Sequence, residues 1–210
     1  MPLAHPRVLI VDYGLGNIGS VRRAFEECGA KVSIGCSRDS FIDASHVVIP
    51  GVGAFAEGMA LLNSLGIPPM IERFVVQEGK PLLGICLGMQ LLAFDGIEGG
   101  KTEGLGLVDG HVLPLQPSVP KERIPHVGWN EVHHDGTSAL LSSIPSGMDF
   151  YFVHSYAIAD ASPEQIASKT PYCGGFVSVI RNGNVWGTQF HPEKSQRAGM
   201  QLLRNFLALE

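Results

Sequence analysis

The chain has 210 residues, of which 45% are hydrophobic and 17% charged, a balance that supports one packed core and excludes a disordered chain. The formal net charge is −5 and no lysine- or arginine-rich stripe is present, so nucleic acid is not an expected partner. Cys28, Cys36, Cys86 and Cys173 are scattered with no C-x-x-C pair, which argues against a disulfide framework or a zinc knuckle and, with no apolar run of the ~18–20 residues a membrane span needs and no apolar signal-like stretch in Met1–Pro6, leads to the expectation of a soluble protein of the reducing cytoplasm.

Arg7 to Asp12 is a short apolar run of the kind a buried parallel strand requires. After a glycine turn, Ile18 to Cys28 has helical periodicity, with Val21, Ala24, Phe25 and Cys28 on one face and Arg22, Arg23, Glu26 and Glu27 on the other. Lys31–Cys36 and His46–Ile49 are predicted strands, the latter ending at Pro50-Gly51-Val52-Gly53. Helical pattern covers Ala54–Leu65 and, past Pro68-Pro69, about Met70–Glu78. Pro81–Ile85 is a fourth strand that runs into Cys86 and a predicted helix, Leu87–Phe94. Further on, Leu105–Leu115, Trp129–His133 and Phe150–Ala157 are predicted strands. Phe176–Arg181 and Val185–Phe190 flank Asn182-Gly183-Asn184, a hairpin signal, and Gln196–Leu207 closes the chain as a helix. This alternation predicts an α/β fold, a doubly wound and mostly parallel sheet with helices on both faces plus an antiparallel hairpin region. With no repeat or linker in sight, residues 1–210 are expected to form a single domain.

Gly84-Ile85-Cys86-Leu87-Gly88 is a G-x-C-x-G run between a predicted strand and a predicted helix, the cysteine form of a nucleophile elbow. A turn this tight lifts the side chain clear of the sheet. The helix that starts there offers unpaired N–H groups and a partial positive charge, the setting in which a thiolate, the reactive species, is stabilised. The N–H of Leu87 is placed to face an oxyanion. A lone cysteine is more often buried packing; the two glycines and the strand-to-helix context favour a nucleophile.

A cysteine that turns over an amide needs a histidine to protonate the departing nitrogen and then activate water. Gln189-Phe190-His191-Pro192-Glu193-Lys194-Ser195 supplies one at the end of the hairpin strand, where α/β sheets collect functional groups. Glu193 is close enough in sequence to accept the second ring N–H of His191. Alone, an H-x-E sequence says little; with the elbow it completes a triad. Of the other histidines, His133-His134 reads as a solvated pair.

These features resemble the class I, triad-type glutamine amidotransferases. Asp12-Tyr13-Gly14 with Gly16-Asn17, Pro50-Gly51-Val52-Gly53-Ala54-Phe55, Pro125-His126-x-Gly128-Trp129-Asn130 and Tyr151-Phe152-Val153-His154-Ser155-Tyr156 narrow the likeness to the glutaminase subunits of imidazole glycerol phosphate synthases, over almost the whole chain. The resemblance implies Cys86, His191 and Glu193 as catalytic residues and the backbone N–H groups of Val52 and Leu87 as an oxyanion hole. It implies Gly53, Gln90, Glu98, Ser155 and Tyr156 as the glutamine site, and Asn17, Trp129 and Lys194 at a partner interface. It implies no cofactor and no metal, and a partner that is a (β/α)₈-barrel cyclase receiving the ammonia. After the predicted elbow helix the sequence departs from the family pattern at Ala93–Ile97, which affects the placing of Glu98.

Three other readings compete. Gly14-Leu15-Gly16-Asn17-Ile18-Gly19 satisfies the dinucleotide fingerprint G-x-G-x-x-G, but no acidic residue ends the second strand, and Asp39 comes too late and in an expected turn. A cysteine peptidase or deglycase would keep the elbow and lack the H-P-E ending; a non-catalytic subunit would not need the triad. By itself Trp129 reads as core, since tryptophan is mostly buried.

Overall fold

The computed structural model describes residues 5–210; the expectation for Met1–Pro6 falls mostly on residues outside that range. The first half of the chain runs β1 (Arg7–Val11), α1 (Ile18–Glu27), β2 (Lys31–Gly35), α2 (Arg38–Asp43), β3 (His46–Gly51) and α3 (Phe55–Ser64). It continues through α4 (Ile67–Ile71), a π-helical stretch Glu72–Gln77, β4 (Leu82–Cys86) and a short α5 (Leu87–Gln90). The second half is mostly strand: β5 (Asp95–Gly96), β6 (Thr102–Glu103), β7 (His111–Pro114), β8 (His126–Val132), β9 (Met148–His154), β10 (Tyr156–Ala159) and β11 (Ile166–Thr170). The hairpin β12 (Phe176–Asn182) and β13 (Val185–Thr188) and the helix α6 (Gln196–Leu207) follow.

The main sheet has seven strands in the order β11-β12-β13-β4-β3-β1-β2. From β2 to β13 the pairings are parallel, and β12 and β11 add antiparallel strands at one edge. Because successive side chains in a strand point to opposite faces, Leu9, Val11, Val47, Ile49 and Leu82 pack on one side with Phe55, Met59 and Leu62 of α3 and with Phe74. Val8, Ile10, Val48, Leu83 and Ile85 pack on the other with Val21, Ala24 and Phe25 of α1 and Leu202, Leu203 and Phe206 of α6. Two-sided burial is why these strands read as unbroken apolar runs rather than alternating ones. Two smaller sheets, β10-β7-β5-β6 and the ribbon β8-β9, lie beyond the main sheet.

Several expectations are corrected. The Leu87–Phe94 helix ends at Gln90, because the carbonyls of Leu91, Leu92 and Ala93 accept N–H groups from Leu105, Leu107 and Gly106. Those same bonds occupy the front of the expected Leu105–Leu115 strand, leaving only His111–Pro114 to pair. Phe150–Ala157 is two strands in different sheets, broken at Ser155, whose carbonyl accepts from Leu115 N–H. Asp39 is not in a turn but in the first turn of α2, behind an N-cap made by Ser37. The strand expected at Trp129–His133 begins earlier, at His126. His134 is not solvated like its neighbour: its Nε2 is buried with no hydrogen-bond partner among the described residues.

The tightest packing is at the elbow. A Cβ on Gly84 would lie 2.6 Å from the Gly88 carbonyl oxygen, and one on Gly88 would overlap the Ile49 carbonyl. Gly88→Ala is therefore expected to destabilise the fold by about 1–3 kcal/mol, read as a lowered urea midpoint with an unchanged slope.

Candidate active site

Cys86 is the last residue of β4, with φ +54° and ψ −110°, held between β3 and β13. A non-glycine residue in this region carries strain of about 1–3 kcal/mol, and the strain does a definite thing here. It turns the chain from strand to helix within one residue and leaves Cys86 lining a cavity above the strand ends. The Val153 carbonyl and Gln189 Nε2 each lie 3.8 Å from its sulfur. The Leu87 N–H follows in the first turn of α5, where N–H groups have no intrahelical partner.

β13 runs beside β4 in register, Thr188 opposite Ile85, and so delivers the next residues to the cysteine. His191 Nδ1 is 2.8 Å from Glu193 Oε1, with both side chains almost wholly buried. Since a carboxylate accepts, Nδ1 donates and Nε2 is the ring atom left for chemistry; among the described residues Nε2 has no hydrogen-bond partner. Burial works against a charged imidazole, but the Cys86 sulfur beside the ring and the Glu193 carboxylate outweigh it and push its pKa up to about 9. The loop is pinned by Ser195, whose hydroxyl donates to the His191 carbonyl at 2.6 Å and accepts from Tyr151 N–H at 3.0 Å. An imidazolium beside the nucleophile's sulfur can protonate a leaving amine, and the imidazole so formed can take a proton from water.

The cavity, about 190 Å³, is lined by Val52, Gly53, Cys86, Leu87, Gln90, Glu98, Val153, His154, Ser155 and Tyr156. The residues expected around glutamine thus meet at the cysteine, from α5, the loops after β3 and β5, and the break between β9 and β10. Glu98 is placed there despite the atypical stretch before it: its Oε2 accepts Phe55 N–H at 3.1 Å, capping α3, and partial burial raises its pKa. Gln90 is buried and donates to the Tyr156 carbonyl at 2.9 Å and to Gln189 Oε1 at 3.0 Å. No group of three or more His, Cys, Asp or Glu side chains among the described residues is arranged to hold a metal ion.

Of the expected interface residues, Trp129 is 47% exposed, which overturns the core reading. It lies edge-on to Tyr151 at 6.0 Å, and Lys194 Nζ sits 5.7 Å from the same ring. Asn17 is exposed and caps α1, which packs against the Pro192–Lys194 turn. Sequence reading missed Gln189 and Ser195 as individual participants; both stand inside the Gln189–Ser195 motif.

Residues 9–209 match the family model of class-I glutamine amidotransferases. The chain is 45% identical to imidazole glycerol phosphate synthase subunit HisH 1 of Prochlorococcus marinus, over 96% of this chain and 97% of that one. It is 44% identical to subunit HisH of Moorella thermoacetica, over 95% of this chain and 93% of that one. The chain belongs to the HisH family of class-I glutamine amidotransferases. Family membership sets aside the dinucleotide-binding and peptidase alternatives. The fold is likewise similar to a glutamine amidotransferase crystal structure (TM-score 0.73, 18% identity, 95% of this chain and 96% of that one). It is also similar to the structure of PurLQS from Thermotoga maritima (TM-score 0.73, 21% identity, 97% of this chain and 98% of that one).

Because the His191 pKa is raised above 6.5, its proton stabilises the folded chain fully below about pH 6.5, and that contribution is lost as pH rises through about 9. Glu193→Gln is expected to move the His191 titration, followed by NMR, to lower pH. An unchanged midpoint would mean that the carboxylate does not hold the imidazolium.

Proposed function

We propose that the chain hydrolyses glutamine to glutamate and ammonia as the glutaminase subunit of an imidazole glycerol phosphate synthase, in histidine biosynthesis. The observation that supports this reading is a cysteine at φ +54° in the wall of a cavity, with the imidazole of a buried His191–Glu193 pair beside its sulfur. The Cys86 thiolate attacks the carboxamide carbon of glutamine, and the tetrahedral oxyanion is held by the N–H groups of Val52 and Leu87. His191 gives its proton to the leaving nitrogen, so ammonia departs and a thioester remains. Water, deprotonated by His191, attacks the thioester and frees glutamate and the cysteine. Glu193 fixes the imidazole's tautomer and stabilises its charge throughout. Gly53, Gln90, Glu98, Ser155 and Tyr156 hold the glutamine.

Ammonia released into water is protonated and loses its nucleophilicity, so a partner docked over the site is part of this reading. It is a (β/α)₈-barrel cyclase that uses the ammonia to make imidazole glycerol phosphate and aminoimidazole carboxamide ribonucleotide. Exposed Trp129 and Lys194, both against the half-buried Tyr151 ring, are the surface offered to it, together with Asn17 on α1, the helix that packs on the Pro192–Lys194 turn. Val52 is 41% exposed at the cavity edge between Gly51 and Gly53, the latter at φ +117°. Gly51 has no Cβ to oppose rotation of the Gly51–Val52 peptide, and on this reading the partner's bound nucleotide turns the Val52 N–H toward the oxyanion.

Cys86→Ala is expected to abolish glutamate release from glutamine while leaving the fold intact; residual turnover near wild type would remove the nucleophile. Lys194→Ala is expected to weaken complex formation with the cyclase more than it alters glutamine affinity, measured by calorimetry of each. Glutaminase rates that do not respond to the cyclase and its nucleotide would rule out the gate.

A further inference from the structure

A run of hydrogen bonds leads from the exposed ribbon into the cavity wall, and each of its protons can be placed. The Tyr156 carbonyl, which can only accept, takes one bond from His154 Nδ1 at 2.8 Å and a second from Gln90 Nε2 at 2.9 Å. Nδ1 of His154 therefore carries the ring proton, and in the neutral ring its Nε2 is an acceptor. His126 Nδ1 lies 3.0 Å from that Nε2 and so donates to it. His126 Nε2 then accepts from Asn130 Nδ2 at 3.2 Å, and Asn130 Oδ1 accepts Glu131 N–H at 2.9 Å, which agrees with that amide orientation.

This alternation requires both rings to be neutral, and their surroundings keep them so. Tyr172 stacks on His126 at 4.1 Å and Phe176 packs edge-on against both rings. Burial lowers the pKa of His126 to about 4, against a weaker opposing pull from Glu122, and that of His154 to about 3. At the far end both N–H bonds of Gln90 are committed, to Tyr156 and to Gln189. Its Oε1 is the amide atom left for a ligand in the cavity that Gln90 lines.

We propose that His154, oriented by His126, is a positioning residue for glutamine recognition: by holding the Tyr156 carbonyl it fixes Gln90 so that the cavity presents an acceptor to an N–H group of the substrate. The inference rests on reading this cavity as the glutamine site. It assigns a task to His154, which lines the cavity, and to His126 behind it, neither of which belongs to the triad. It also makes the ribbon that carries Trp129 and the wall of the cavity one hydrogen-bonded unit.

The test compares His154→Asn, His154→Gln and His154→Phe with the wild type, measuring kcat and KM for glutamine with the cyclase and its nucleotide present. Asn places its Nδ2 where the Nδ1 donor stood; Gln extends past that position and Phe offers no donor. Losing the donor to Tyr156 is expected to raise KM about tenfold in His154→Gln and His154→Phe, with kcat nearly unchanged. His154→Asn is expected to restore most of the difference. Asn and Gln both remove the ring, so their comparison cancels lost packing and still decides if the Phe variant does not fold. Equal KM values for Asn and Gln, or a fall in kcat with KM unchanged, would overturn the inference. A wild type that releases no glutamate would instead sink the functional reading beneath it, and this inference with it.

Discussion

The backbone of Gly88 rests against the carbonyl of Ile49, with no room between them for a methyl group. Because α5 starts that close to β3, the chain must leave β4 within one residue, and Cys86 takes up a conformation that a non-glycine residue adopts only under constraint. The strain is supported by burial on both faces of the sheet: β3 and β4 are buried along their length, and their apolar side chains are clamped by helices above and below. Without that contact the sulfur would lie in the sheet, and the cavity beside Val52, Gln90 and Ser155 would have no nucleophile in its wall.

Two histidine-bearing pairs near one another, His191–Glu193 and His126–His154, are tuned in opposite directions by what faces their rings. His191 has a carboxylate on one side and a sulfur on the other, and is held charged up to about pH 9 despite its burial. His126 and His154 have each other, an amide, a carbonyl and a wall of aromatic rings, and stay neutral down to about pH 4 and 3. The charge of His191 itself contributes to keeping His154 neutral. Burial is common to all three rings; the difference is whether a negative group is buried with them. The charged pair suits proton transfer and the neutral pair suits holding a backbone still.

Where two-sided burial or local turn chemistry dominates, the fold was legible in the sequence. The apolar runs of β1, β3 and β4, the Gly183-Asn184 hairpin turn and the amphipathic α1 and α6 follow from composition and spacing alone. What escaped was set by distant partners. Helical pattern after Cys86 continues to Phe94, but the residues from Leu91 give their carbonyls to Leu105–Val108 instead. One continuous apolar stretch, Phe150–Ala157, is divided between two sheets because Ser155 bonds to Leu115. Edge strand β11 is polar enough to pass as a loop, and its irregular register with β12 shows why no clean alternation marks it. Similarly, the elbow and the His191–Glu193 pair carry local signatures, whereas the partnership of Gln90 with Gln189, or of His126 with His154, exists only once strands far apart in the chain are laid side by side.

The position of β13 has a bearing on how the molecule comes into being. It is an inner strand, inserted between β4 and β12, yet it is made nearly last. A polypeptide emerging from the ribosome therefore exposes the long apolar edge of β4 until residues 185–188 arrive, an interval in which pairing with a stray strand is the main hazard. The same step that closes this edge brings the imidazole to the sulfur. Chemical competence and protection from aggregation are thus acquired together, late in synthesis, and a chain truncated before the hairpin would have neither.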